Sequence, residues 1–188
     1  PRADASDPDA VWVYPSPQRF YNAMLRKGWS PDARDMDAVV SVHNTVNERC
    51  WTEVMRYEAL HCDRCASPKL LKFRGRPTEP SPKARLLGWL GYAAPFDRHD
   101  WVVDRCGTPV RYVIDFYQGK GAAVGIPSVY LDVRPALTVG GAVDRLRMAY
   151  LRWRHPALAS ADASTRAGSS PAQPRAPSAP SRGAQSSP

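Results

Sequence analysis

The chain has 188 residues, a formal net charge of +8, 43% hydrophobic residues and four cysteines. That length suits one domain with appendages, no run approaches the roughly twenty apolar residues of a membrane-spanning helix, and four cysteines are too few for a disulfide-dense scaffold. The positive surplus calls for an anionic partner: nucleic acid, an anionic membrane surface, an acidic protein or a carboxylate-bearing ligand.

Residues 1–10 (PRADASDPDA) are acidic and unpatterned, and residues 159–188 are dominated by Ala, Ser, Pro, Arg, Gly and Gln. Neither segment can bury enough apolar surface to offset its chain entropy, so both read as disordered. A start at Pro1 rather than Met reads as a fragment or a processed product. The folded unit is expected over residues 11–158, which hold all six Trp, eight Tyr and four Phe. The charges of the two ends cancel, so this unit carries the full +8.

Trp12-Val-Tyr-Pro15 is extended, and Ser16 followed by Pro17 is an N-cap with proline at the first helical position. A short helix with Phe20, Met24 and Leu25 on its apolar stripe follows, stopped at Gly28. The next helix is long. It begins near Met36 and runs through VVSVHNTVNERCWTEVMRYEALH (39–61) without Gly or Pro. Val39, Val42, Val46, Cys50, Val54 and Tyr57 recur in steps of three and four, which predicts the buried face, with His43 at its edge. Cys62-Asp-Arg-Cys65 ends this helix and Lys69–Phe73 reads as a short strand. Ser81-Pro82 opens another helix through Leu86, Leu87, Trp89 and Leu90. Residues 92–101 read as a loop dense in aromatics and charges, the kind of segment on which sites are built. Trp101–Val103 and Val110–Tyr117 read as strands joined at Gly107-Thr-Pro, Val129–Val133 as a third and Asp144–Trp153 as a last helix. Helices with short antiparallel strands imply an α+β fold: one domain of helices packed on a small antiparallel sheet.

Three motifs carry chemistry. Cys62-x-x-Cys65 is half of a tetrahedral zinc site, but Cys50, Cys106, His61 and His99 form no second close pair. Covalent haem attachment to a chain's own cysteines uses Cys-x-x-Cys-His, whereas here His61 precedes the pair. Asp97-Arg98-His99-Asp100 sets an imidazole between carboxylates, which suits acid–base work, support of a metal, or a surface ion-pair cluster. Arg74, Arg76, Lys83, Arg85, Arg98, Arg105 and Arg111 are interleaved with aromatics, as in a nucleic-acid surface, a carboxylate site or a solvated basic face. His43, taken alone, fits either a hydrogen-bonded core histidine or a metal ligand.

Taken together, WVYPSPQRFYNAMLRKGW (12–29), VVSVHNTVNERCW (39–51), SPKARLLGWLGYAAPFDRHDWVVDRCG (81–107), VRYVIDFY (110–117) and LDVRPAL (131–137) resemble the holocytochrome c-type synthase (cytochrome c haem lyase) family, in order and at family spacing. The resemblance implies a lyase that binds haem b, in the ferrous state for ligation. It would join the haem vinyl groups by thioether bonds to the Cys-x-x-Cys-His cysteines of apocytochrome c, with apocytochrome c1 as a second partner. It implies a peripheral position at the mitochondrial inner membrane, facing the intermembrane space, and no nucleic-acid partner. His43, in the block matching the family's axial-ligand histidine, is then the haem-iron ligand. The family's N-terminal Cys-Pro motifs have no match here, which fits a start downstream of them. Around His43, Tyr21, Trp29 and Trp51 are expected as aromatic walls, Asn47 and Glu48 as neighbours, Arg98 and Arg105 at the propionates, and His99 in a supporting or proton-handling role. A haem-binding chaperone without ligase activity and a basic nucleic-acid-binding module are the alternatives.

Overall fold

The computed structural model describes residues 12–119 and 128–156. The segments 1–10 and 159–188, expected to be disordered, lie outside the described residues. The fold is α+β. A four-stranded antiparallel meander, in the order β1 (Lys69–Gly75), β2 (Asp97–Arg105), β3 (Thr108–Gln118) and β4 (Val129–Pro135), carries four helices. These are α1 (Pro17–Arg26), α2 (Met36–Glu58), α3 (Pro82–Trp89) and α4 (Val139–Arg154).

The helix starts follow from local chemistry. Ser16 Oγ accepts the amide of Arg19 at 3.4 Å, and Ser81 Oγ that of Ala84 at 3.1 Å, each with proline at the first turn. Gly28, at φ +82°, ends the chain reversal after α1, where a side chain would be strained. The turn between β2 and β3 is the pair Cys106-Gly107, with φ of +46° and +91°. Two positive φ values in a two-residue loop match the twist of the flanking strands.

Strand alternation gives the sheet two different faces. Trp101, Val103, Tyr112, Ile114, Phe116, Leu131 and Val133 form the apolar face, against which α2 sets Cys50, Val54 and Tyr57, and α4 sets Met148. The opposite face holds Arg98, Asp100, Asp115 and Arg134, all buried. There Ser81, the cap of α3, donates to Asp115 Oδ2 at 2.5 Å and accepts from Arg134 at 2.7 Å.

Three expectations are corrected, and one cysteine pairing is added. β2 begins at Asp97, so Asp97-Arg98-His99-Asp100 is strand rather than loop, and its residues alternate between the two faces. Val40 is buried and Val39 is 36% exposed, so the inward stripe of α2 is Met36, Val40, His43, Asn47, Cys50, Val54 and Tyr57, with Val46 beside Asn47 packed against the core as expected. His43 and Asn47 thus sit on the stripe itself. Cys65 pairs with Cys106 in a disulfide, Cys62 is free and exposed, and no group of three or more metal-ligating side chains exists among the described residues. The last helix also starts five residues earlier than its sequence pattern suggests, at Val139, capped by Thr138 Oγ1 on the amide of Gly141.

Candidate functional site: an aromatic cavity around His43

The inward stripe of α2 is apolar at both ends and polar in the middle, and the core opens where the polar residues fall. His43 and Asn47 face a cavity of about 370 Å³. Its other walls are Trp12, Val13, Tyr14 and Pro15 of the extended N-terminal segment, Arg19, Phe20 and Ala23 of α1, Leu70 and Phe73 of β1, and His99 and Trp101 of β2. This is the size and composition of a small-molecule site: mostly apolar and aromatic, with a few convergent polar groups.

Two features of β1 build one wall. Its register against β2 shifts between Leu70 and Lys72, so Leu70 pairs with Val103 and Phe73 with Trp101. A bulge of this kind lets two residues three apart share a face, which an unbroken strand forbids. Trp12 then closes over them, its indole N–H donating to the Leu70 carbonyl at 3.0 Å and its ring meeting Phe73 edge-on at 5.3 Å.

His43 is held on two sides. The Phe20 ring meets it edge-on at 5.0 Å, and the side-chain nitrogen of Asn47 lies 3.3 Å from its Nδ1. Burial, reinforced by the nearby His99 and opposed by Asn44, holds the His43 pKa below the ordinary value. The imidazole is therefore neutral at physiological pH and keeps a lone pair for a metal ion. Ligation through Nε2 puts the ring proton on Nδ1 and requires Asn47 to present its amide oxygen there. His99, across the cavity, is fixed by Asp97 at 3.1 Å and by the Phe116 ring at 4.9 Å.

A second cavity of about 270 Å³ adjoins the first, sharing Trp12, Tyr14, Asn47, Leu70 and Trp101 and adding Glu48 and Trp51. The Tyr14 hydroxyl donates to Glu48 Oε1 at 2.7 Å, and burial together with Glu48 pushes the Tyr14 pKa up. The buried Trp101 indole N–H has no hydrogen-bond partner among the described residues.

The structure therefore brings together His43, Asn47 and His99 at the first cavity, with Glu48 and Trp51 at its neighbour. Tyr21 and Trp29 do not line either cavity, and Trp29 is 64% exposed. Arg98 and Arg105 are engaged elsewhere. Arg98 grips Asp100 with two bonds of 3.0 Å, and Arg105 grips Glu58 with bonds of 2.7 and 2.9 Å. The arginine that reaches the first cavity is Arg19, which has no ion pair among the described residues. Trp12, Phe20 and Trp101, aromatics that suit either a core or a flat apolar pocket, also line it, and Tyr14 and Phe73 join them as wall residues that motif reading passed over.

Residues 1–149 match the family model described as cytochrome c/c1 heme lyase. The chain belongs to this family. It is 49% identical over 160 residues to the holocytochrome c-type synthase of Bos taurus, covering 81% of this chain and 57% of the relative. The Homo sapiens holocytochrome c-type synthase is 48% identical, with 81% of this chain and 59% of the relative covered. A putative holocytochrome-c1 synthase of Schizosaccharomyces pombe is 51% identical over 138 residues, covering 73% of this chain and 63% of the relative. The chain thus spans less than two thirds of the length of these heme lyase relatives. No solved structure matches the chain. Among the described residues, no helix of this family member is long and apolar enough to cross a membrane.

Proposed function

We propose that the chain carries the haem-binding and ligating centre of an enzyme that attaches haem to apocytochrome c. The observation that carries this reading is a neutral imidazole, His43, set in the wall of an aromatic cavity by Phe20 and Asn47. Haem is the substrate, and its parts match what the walls offer. Trp12, Phe20, Phe73 and Trp101 supply flat apolar surface for a macrocycle. His43 would supply a nitrogen ligand to the iron, and Arg19 a donor for carboxylates.

The reaction adds a cysteine thiol of the partner's Cys-x-x-Cys-His motif across a haem vinyl group. The S–H bond and the vinyl π bond break, a carbon–sulfur bond forms, a proton is delivered to the second vinyl carbon, and no electrons are gained or lost overall. A thiolate, a vinyl group and a proton source need chiefly to be held together, so positioning is the main catalytic service. His43 fixes the depth and rotation of the ring. His99, oriented by Asp97, and Glu48, bonded to Tyr14, are the groups able to manage the proton beside it. Three of the chain's four cysteines do not compete: Cys65 and Cys106 are paired, and burial pushes the Cys50 thiol up to about 12, while Cys62 is free and exposed. The substrates are haem b in its ferrous state with apocytochrome c or c1, and the working location is the intermembrane-space side of the mitochondrial inner membrane.

Incubation with ferrous haem and apocytochrome c tests the proposal. Ligation leaves haem on the cytochrome through denaturing electrophoresis, and His43→Ala abolishes both that signal and the native Soret band. Haem binding without transfer would instead make the chain a haem carrier.

A further inference from the structure

Helix α4 has a second face that the fold does not use. Gly141, Asp144 and Met148 are buried against the domain. On the outward side Val139, Val143, Leu146, Tyr150 and Trp153 are 87%, 46%, 72%, 57% and 75% exposed. Their steps of four, three, four and three make one continuous stripe along about 21 Å of helix. At its C-terminal end the Tyr150 and Trp153 rings lie 6.0 Å apart. An exposed apolar strip of this extent on a water-facing helix marks an interaction surface.

The charges around the stripe have one sign. Arg147 and Arg154 flank it in solvent, and the single acid of α4, Asp144, is buried on the other side. A cavity of about 420 Å³ adjoins the stripe, sharing Val143 with it and the flanking Arg147; its polar lining also includes His61, Arg64, Arg105, Thr108 and Asp144. Asp144 is taken up by His61 at 2.8 Å and Arg105 at 3.4 Å, and Arg105 is itself bound to Glu58. Arg64 and Arg147 remain. The nearest acid to Arg64 is the adjacent exposed Asp63 at 4.0 Å, and Arg147 has no ion pair among the described residues.

We infer that this face docks on an anionic phospholipid bilayer, the stripe entering the boundary between headgroups and acyl chains while Arg64 and Arg147 take a headgroup phosphate in the cavity. Tyr and Trp beside Arg on an apolar helix face are the residues of a membrane interface, and guanidinium pairs match phosphate oxygens. A second copy of the chain fits less well. Across a helix seam the flanking positions would be Arg147 and Arg154 on one side and Ala142 and Ala149 on the other, with no acid to meet the arginines. The face is separate from the His43 cavity, to which α4 contributes no lining residue, so the inference stands whether or not the chain ligates haem.

Flotation of the purified chain with vesicles of phosphatidylcholine, alone or with phosphatidylglycerol, tests it at about 0.1 M salt, where surface charge is screened beyond about 10 Å. Binding is expected to the anionic vesicles only. Leu146→Gln with Trp153→Gln, and separately Arg64→Gln with Arg147→Gln, should each weaken it by about tenfold or more. All four residues are solvent-facing, and an unchanged circular dichroism spectrum and haem affinity confirm that the variants are folded. Leu86→Gln with Trp89→Gln, on the exposed side of α3, should bind as the parent does. Equal binding to neutral vesicles, parental binding by the α4 variants, or loss confined to the α3 variant would overturn the inference. So would capture by polyglutamate without vesicle binding, which indicates an acidic protein partner, or a dimer in sedimentation that Leu146→Gln with Trp153→Gln dissolves.

Discussion

The two halves of α2 are one continuous helix doing opposite work. In the C-terminal half every inward residue is sealed: Cys50 and Val54 are fully buried, and Glu58, 2% exposed, accepts from Arg105 twice and from the Tyr112 hydroxyl at 2.6 Å. In the N-terminal half the same stripe continues as His43 and Asn47, half-buried, facing an apolar cavity. The sealed half satisfies its buried charge with three groups on three elements, since Asp144 of α4 also reaches Arg105. Against the open half, the Trp101 N–H has no hydrogen-bond partner among the described residues. A rigid anchor next to an unsatisfied wall is the arrangement that positions a ligand without letting the helix drift.

The sharpest way to break this comparison is to alter one residue from each half. Glu58→Ala strands Arg105 in a buried setting and should cost about 3–5 kcal/mol of stability, read by chemical denaturation. His43→Ala should change stability by about 1 kcal/mol or less while abolishing covalent haem transfer in the gel assay. Equal losses of stability would show that the halves do not differ. Next in size, Cys65→Ser with Cys106→Ser, or reduction of that bond, should lower the unfolding free energy by about 2–4 kcal/mol. Haem affinity measured below the new melting point should be retained, because the bond fixes the β2–β3 turn at the sealed side. A smaller effect separates the arginines: Arg19→Gln should weaken haem binding about three- to tenfold in a titration of the Soret band. Arg98→Gln should act on stability instead, since its guanidinium is bound to Asp100.

The smallest effect is on pH. The folded His43 pKa lies below its ordinary 6.5, so the unfolded chain takes up a proton first as pH falls. Its contribution to stability is thus present above about 6.5 and declines below it, and the midpoint for loss of haem binding should also fall below 6.5. His43→Ala removes this inflection from a denaturation series between neutral and acid pH; its persistence would assign it to another group.

Much of this was legible in the chain itself. The Ser-Pro starts of α1 and α3, the long helix free of Gly and Pro, the alternation along β3 and the positive balance all follow from local rules, because each acts within a few residues. The α+β class and the family blocks were legible for the same reason, and they singled out His43. The cavity walls were not. Leu70 and Phe73 share a face only because β1 shifts register against β2, and Phe20 meets His43 only because α1 folds back on α2. Arg98 and Arg105 read as ligands for carboxylates, and they are: the carboxylates are Asp100 and Glu58 of the chain itself. Sequence fixes which groups a residue can bind, and the partner is whichever one the fold brings within reach. The partner of Cys65 was equally invisible, since Cys106 lies 41 residues away and is brought to a Cα separation of 5.5 Å only by the sheet. Local chemistry determined the elements, and the resemblance to the family singled out His43; long-range pairing alone decided that the polar break in α2 faces a cavity.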